Sequence, residues 1–124
     1  VVVSISFVGP FEGALVLVAS RELLPTIAIN MLGLEFDEVP SQSVQRDALK
    51  ELVNVICGNL LPELAGEGAV FDVSAPELLA DGVVPTMVAG CGPLATALLH
   101  LEGGWVELTL FAPEYVTTHG ERRS

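Results

Sequence analysis

The sequence is poor in positively charged side chains. Its 124 residues include 5 Lys and Arg against 16 Asp and Glu, which gives a formal net charge of −11, and Lys50 is its one lysine. Nucleic-acid binding relies on clustered Lys and Arg that neutralise phosphates, and anionic membrane surfaces repel an acidic chain in the same way. The charge balance therefore excludes nucleic acid as the expected partner.

Long apolar runs are also missing, although 51% of the residues are hydrophobic. A transmembrane helix needs about 20 consecutive apolar residues, whereas the runs at 14–19 and 83–89 have the length of a strand. The first residues lack the basic region and long apolar core of a signal peptide. The only cysteines, Cys57 and Cys91, have no metal-ligand spacing and cannot build a disulfide framework. We therefore predict a cytoplasmic protein with no membrane insertion, no metal site and no cofactor of its own.

The hydrophobic pattern predicts one α+β domain. A first helix is expected to begin at Ser20, as its N-cap, and to end at Gly33. The clearest element is a helix over residues 44–64, capped by Ser41 or Ser43, whose apolar side chains recur at helical spacing. Strands are predicted at 1–8, 14–18, 70–74, 84–89, 94–101 and 106–111, with a kink or helix end near Pro62. This order implies two layers, with two main helices on one face of a mostly antiparallel or mixed sheet.

The last two predicted strands should form a hairpin about Gly103-Gly104. This register pairs Leu101 with Val106 and His100 with Glu107, so an ion pair is a simpler role for the histidine than catalysis. One face of the hairpin is then apolar and predicted to join the core: Ala97, Leu99, Leu101, Val106, Leu108 and Leu110. The domain is expected to span residues 1–116, followed by a frayed polar tail, 117–124.

The exposed face of the long helix carries an unusual stripe. Asp47, Glu51, Asn54 and Gly58 are spaced by four, three and four residues, so they share one face. Asn is an indifferent helix former and Gly costs about 1 kcal/mol relative to Ala in a helix interior. Gly58 would allow another backbone or side chain to approach closely. From the pattern alone, an ordinary solvated surface is the simpler interpretation of the stripe.

The stretch 47–59 also resembles the signature helix of the CheC/CheX/FliY family of chemotaxis phosphatases. That signature is Asp or Ser, three residues, Glu, two residues and Asn, followed downstream by a proline. Asp47, Glu51 and Asn54 match it, and Pro76 lies near the expected place of the proline.

The resemblance is closer to CheX than to CheC. CheC-type members carry the Glu-x-x-Asn pair on both long helices, whereas the first helix here has Pro25 at the asparagine position after Glu22. One active site is therefore expected. CheX-like proteins usually have a further helix before the first strand, and we expect that helix to be missing here.

The resemblance implies a phosphatase that hydrolyses the aspartyl phosphate of a CheY-like response regulator in chemotaxis or two-component signalling. Asn54 would hydrogen-bond the attacking water, and Glu51 would pair with the active-site lysine of the regulator or act as a weak base. Asp47 would tune Glu51 or contact the regulator, and Gly58 would provide clearance. The Mg²⁺ is expected on the regulator, and the resemblance to CheX implies a homodimer.

Two other interpretations stay open. A non-catalytic signalling adaptor could retain the CheX fold and dock a response regulator without hydrolysing its phosphate. A small-molecule enzyme built around Cys91 or His100 lacks any supporting cluster of side chains in the sequence. Cys57 falls on the apolar side of its helix and is predicted to be a buried structural thiol.

Overall fold

The computed structural model describes residues 1–33, 40–80 and 82–116. The predicted polar tail, 117–124, lies outside the described residues. The elements in chain order are β1 (Val2–Val8), β2 (Glu12–Ala19), a 3-10 turn (Arg21–Leu23), α1 (Leu24–Leu32), α2 (Gln42–Ala65), β3 (Asp72–Val73), β4 (Glu77–Leu79), β5 (Pro93–Leu101) and β6 (Gly104–Phe111). In the described ranges, no helix combines the length and the apolar character needed to cross a bilayer.

The strands form one antiparallel sheet in the order β3-β1-β2-β6-β5, and β4 also pairs with β1. Alternate residues of β1 and β2, such as Ile5 and Leu17, are fully buried in one core with residues of both helices. Side chains two positions apart on a strand point to the same face, so this core lies between the sheet and the helices. The predicted α+β class with an antiparallel sheet and two helices is confirmed.

Both predicted helices form, and their ends have clear local causes. Ser41 is the N-cap of α2, and its Oγ accepts a hydrogen bond from the Val44 amide at 3.2 Å. Gly33 caps the end of α1 with a φ of 67°, a left-handed conformation that favours glycine. Pro62 lies in the last turn of α2, which ends at Ala65, so the helix ends near the proline as predicted.

Ser20 does not cap the first helix as predicted. Its backbone is extended before the 3-10 turn, but its side chain makes no capping hydrogen bond. The Ser20 Oγ instead accepts a hydrogen bond from the backbone amide of Trp105 at 2.9 Å. The Ser20 hydroxyl therefore binds a backbone amide of β6 and not an amide of the following helical turn.

The predicted strand at 84–89 is wrong. This segment contains only an isolated bridge between Val88 and Cys91, because Ala89 and Gly90 adopt positive φ values of 54° and 74° and reverse the chain. Pro85 also lacks a backbone donor for a sheet ladder. The structure instead forms β4 between the predicted strands at 70–74 and 84–89, and Leu79 and Val88 each pack against a small cluster of Val2, Val16 and Phe111 on the sheet face opposite the main core.

The predicted hairpin forms, but its register is shifted. Leu101 pairs with Gly104 and His100 pairs with Trp105, so the turn residues are Glu102 and Gly103. The predicted His100–Glu107 pair is therefore wrong, since Glu107 lies opposite Leu98. Gly104 belongs to the strand, where a side chain has no room because a Cβ at this position would collide with Ser20 Oγ.

The predicted core face of the hairpin is buried on β6 but open on β5. Val106 and Leu110 are buried, whereas Leu99 and Leu101 are 54% and 50% exposed. The reason is the position of β5 at the edge of the sheet, away from β1, β2 and β4, against which α2 packs. The alternation of apolar and polar residues could not show that the helices leave β5 uncovered.

Candidate functional site

Helix α2 has one buried face and one exposed face. Its buried residues are Ala48, Leu49, Val53, Cys57 and Leu61. Asp47, Glu51, Asn54 and Gly58 are all exposed on the opposite side. The apolar face therefore fixes the helix on the sheet, and the polar stripe faces outward.

The helix itself sets the geometry of the stripe. Residues three or four positions apart on a helix have Cβ atoms about 5–6 Å from each other. The Glu51 carboxylate and the Asn54 amide therefore project side by side, with Asp47 one turn before them and Gly58 one turn after. This arrangement offers a hydrogen-bonding amide beside an acidic group on a convex surface.

The polar groups of the stripe are free to bind a partner. Across residues 1–33, 40–80 and 82–116, the side chains of Asp47, Glu51 and Asn54 form no hydrogen bond or ion pair. Asn59, on the same helix, differs because its Nδ2 donates to the Val55 carbonyl oxygen at 3.0 Å. The side-chain amide of Asn59 is thus hydrogen-bonded within the helix, whereas that of Asn54 has no partner among the described residues.

Nothing within the described residues requires glycine at position 58. A Cβ built on Gly58 meets no atom within 4 Å, and its φ is not in the positive range that favours glycine. The residue is helical and exposed, where alanine would be more favourable. The surface beside Gly58 is therefore open within the described residues, and its role in giving a partner clearance stays a prediction.

Two further residues belong to the description of this surface. Pro76 lies immediately before β4, a strand that pairs with β1 and contacts α2. Val55 follows Asn54 and is 43% exposed, so the surface of α2 also offers an apolar side chain. The sequence reasoning missed Val55, although its place four residues after Glu51 is the available signal.

The other candidate groups lie elsewhere. Cys57 is 1% exposed, and burial raises the pKa of its thiol, so the thiol stays neutral. Cys91 is partly exposed with its Sγ 3.7 Å from the Ala89 carbonyl oxygen, and His100 is exposed on β5. In the described part of the chain, no group of three or more His, Cys, Asp or Glu side chains could hold a metal ion.

Comparisons with solved structures place the fold. A CheC-like chemotactic protein from Shewanella oneidensis MR-1 matches with a TM-score of 0.72 and 20% identity, over 90% of this chain and 72% of that chain. CheX from Vibrio vulnificus gives a TM-score of 0.71 and 21% identity, over 90% and 74% of the two chains. The complex of CheX with CheY, BeF3 and Mg²⁺ from Borrelia burgdorferi matches with a TM-score of 0.65 and 20% identity, over 91% of this chain and 75% of that chain.

The sequence comparison is more specific than the fold. No curated protein matches the chain at a significant level. The family model described as chemotaxis phosphatase CheX matches residues 1–90, which include the whole of α2 and its polar stripe. The resemblance to the family is thereby confirmed: the chain belongs to the chemotaxis phosphatase CheX family.

Proposed function

We propose that this CheX family member hydrolyses the aspartyl phosphate of a CheY-like response regulator. The observation that carries the proposal is the pair of Glu51 and Asn54, which lie side by side on the exposed face of α2 with no partner among the described residues. The family description supports phosphatase activity. The structural neighbour from Borrelia burgdorferi is a CheX in complex with CheY, which supports this class of partner.

The chemistry needs few groups on this chain. An acyl phosphate is already activated, so positioning a water in line with the phosphorus accounts for most of the required catalysis. The Asn54 side-chain amide forms a hydrogen bond with that water and orients it. As the water oxygen bonds to phosphorus, the bond to the aspartyl oxygen breaks, and inorganic phosphate and a free aspartate result.

The neighbouring groups align the two proteins. Glu51 pairs with a lysine of the regulator, which fixes the docked orientation, and Asp47 adds negative charge one turn away. The metal in this scheme is a Mg²⁺ on the regulator, so this chain contributes no ligand to it. The proposed substrate also places the reaction in the cytoplasm.

The decisive experiment compares two asparagines of the same helix. Asn54→Ala should lower the rate of dephosphorylation by about 100-fold or more, since the water loses its orienting group, with little change in binding. Asn59→Ala is the matched control, because the Asn59 amide is already engaged with the Val55 carbonyl. Equal phosphate release by the two variants would exclude Asn54 from the site.

The same assay separates the enzyme from the adaptor. An enzyme releases many equivalents of phosphate per molecule from a phosphorylated regulator, whereas an adaptor at best alters the half-life of one bound equivalent. No observation in the structure favours the adaptor. Turnover that stops at one equivalent would establish it.

We also propose that two copies of the chain form a homodimer through the β5 edge. This strand ends the sheet, so one side of its backbone has no strand partner among the described residues. Leu98, Leu99 and Leu101 are 50–54% exposed on it. The strand contains no Asp, Glu, Lys or Arg, so two copies can pair there without bringing together charges of a chain with net charge −11.

Light scattering after size exclusion tests the dimer. The wild type should have twice the mass of the chain, and Leu99→Lys should shift it toward the monomer. Leu32→Lys is the matched control, since Leu32 is 47% exposed at the end of α1. A monomeric wild type at high concentration would refute the dimer.

A further inference from the structure

The positively charged side chains of the described residues lie close together. Arg21, Arg46 and Lys50 are all the Lys and Arg residues within the described part of the chain. Arg46 and Lys50 are four residues apart on α2, and Arg21 and Arg46 line one cleft of about 220 Å³. In a chain with a net charge of −11, the cations are therefore concentrated at one place.

Two of these cations have no acidic partner. The Arg46 side chain is exposed and that of Lys50 is half-buried, and neither forms an ion pair or a hydrogen bond among the described residues. Adjacent residues of a helix point in different directions, so Arg46 does not face Asp47 and Lys50 does not face Glu51. Two like charges four residues apart also weakly destabilise a helix. No ion pair within the described fold therefore accounts for the two charges.

The two cations belong to a line of residues that leads to Asn54. Arg46, Lys50 and Asn54 are spaced by four residues, so they follow one line along the surface of α2. Asp47 and Glu51 lie on the neighbouring line. Asn54 is next to both lines, since it is four residues after Lys50 and three after Glu51. The surface before the proposed catalytic amide is thus divided into a basic line and an acidic line.

The basic line extends beyond the reach of a phosphoryl group. A helix rises about 1.5 Å per residue, so Lys50 lies about 6 Å and Arg46 about 12 Å along the axis from Asn54. Long helical side chains also lean toward the N-terminus of the helix, which is away from Asn54. A phosphoryl group held at Asn54 therefore cannot contact Arg46. A ligand of the whole basic line must carry further negative groups beside the phosphoryl site.

We propose that Arg46 and Lys50 bind acidic side chains on the surface of the docked response regulator, beside its phosphorylation site. The inference rests on the proposed function, because it concerns the same surface of α2. Glu51 pairs with a lysine of the regulator, so the two lines together require a partner that carries both signs of charge in a fixed order. This requirement selects one docked orientation and disfavours regulators that present a single sign of charge.

The test removes each positive charge and follows binding. Lys50→Met keeps the apolar stem of the half-buried side chain without its charge, and Arg46→Gln removes the exposed guanidinium. For a CheY-like regulator held with beryllium fluoride and Mg²⁺, each variant should raise the Kd about 3-fold, and both together about 10-fold, mainly through slower association. The rise should diminish at high salt. The rate of phosphate release at saturating regulator should stay the same, and Lys50→Arg should bind like the wild type.

A matched control changes the net charge by the same amount elsewhere. Thr86→Glu adds one negative charge at an exposed position between β4 and β5, and it should leave the Kd unchanged. The sign of the effect decides the inference. A regulator surface that is basic throughout would bind the Lys50→Met and Arg46→Gln proteins more tightly than the wild type, and a surface that does not reach them would bind all proteins equally.

Either of these two results overturns the inference, as does a fall in the rate of phosphate release with an unchanged Kd. Tight binding of the regulator by the wild type without phosphate release contradicts the proposed function alone. The binding assay and the phosphate assay therefore separate the failure of one proposal from the failure of the other.

Discussion

Ser20 and Trp105 are 85 positions apart in the chain and are joined by two hydrogen bonds. The Trp105 amide donates to Ser20 Oγ at 2.9 Å, and the Ser20 amide donates to the Trp105 carbonyl at 3.0 Å. Ser20 follows β2 and Trp105 is near the start of β6, so the pair fixes the end of one strand against the beginning of its neighbour. The contact also explains Gly104, whose Cβ would occupy the place of the Ser20 hydroxyl.

The Ser20 hydroxyl should therefore contribute measurably to stability. Ser20→Ala leaves the Trp105 amide without its acceptor, and we expect the free energy of unfolding to fall by about 1–2 kcal/mol. Urea denaturation followed by circular dichroism measures the change. Ser43→Ala is the control, because Ser43 is exposed in the first turn of α2 and should change stability by about 0.5 kcal/mol or less.

Glu51 should matter for docking through its charge. Glu51→Gln retains the shape of the side chain but removes the ion pair with the regulator, so we expect the KM for phosphorylated regulator to rise about 10-fold. The effect should diminish as the salt concentration rises, because ions screen exposed charges. Glu102→Gln removes the same charge at the exposed β5–β6 turn and serves as the control. Equal KM values for the two variants would remove Glu51 from the interface.

Ala89 occupies an unfavourable backbone conformation. Its φ of 54° is the one positive value of a non-glycine residue in the described ranges. Asparagine tolerates this conformation better than alanine, so Ala89→Asn should raise the free energy of unfolding by about 0.5–1 kcal/mol. Thermal unfolding measures the gain, and Ala75→Asn, on an exposed loop before β4, is the control. A gain of the same size in both variants would show that backbone strain is not the cause.

The two cysteines should react at very different rates. Burial raises the pKa of the Cys57 thiol, and the side chain is 1% exposed, whereas Cys91 is partly exposed. We expect a thiol reagent at pH 8 to modify Cys91 quickly and Cys57 only after unfolding. Cys91→Ser should abolish the fast phase. Rapid modification of that variant would show that the helix opens readily.

Because the pKa of Cys57 is raised in the folded protein, the free energy of unfolding should decrease at alkaline pH. Below the ordinary thiol pKa of 9.0, Cys57 is neutral in both the folded and the unfolded chain, so its contribution is fully present. Above that value the unfolded chain releases the proton first, and stability falls as the pH rises toward the higher folded pKa. Cys57→Ala should reduce this alkaline slope in denaturation curves measured between pH 8 and pH 10, relative to wild type. An unchanged slope would contradict the assignment to Cys57.

The sequence predicts most of what depends on local chemistry. Helix α2, its cap at Ser41 and the stop of α1 at Gly33 follow from periodicity and from single residues at the helix ends. The exposed stripe of the candidate site could be predicted for the same reason, since helical spacing alone brings its members together. The roles of Glu51 and Asn54 could not, because periodicity shows only that the side chains share a face.

What the sequence could not predict depends on residues far apart in the chain. Two adjacent glycines allow more than one hairpin turn, and the observed turn at Glu102 and Gly103 leaves Gly104 beside Ser20, a residue far away in the chain. The apolar segment 84–89 has the composition of a strand, but Pro85 and the chain reversal at Ala89 keep it out of the sheet. The exposure of Leu99 likewise follows from the position of β5 in the sheet order.

The proposed reacting groups all lie on one helix, so substitutions in the sheet and substitutions in α2 should affect the protein in different ways. The spacing between Glu51 and Asn54 is set by backbone hydrogen bonds within α2, not by the packing of distant elements. Damage to the sheet should therefore lower the number of folded molecules while each survivor keeps its full specific activity. Natural variation in the strands would then change the amount of folded protein, whereas variation on the exposed face of α2 would change which regulator it binds.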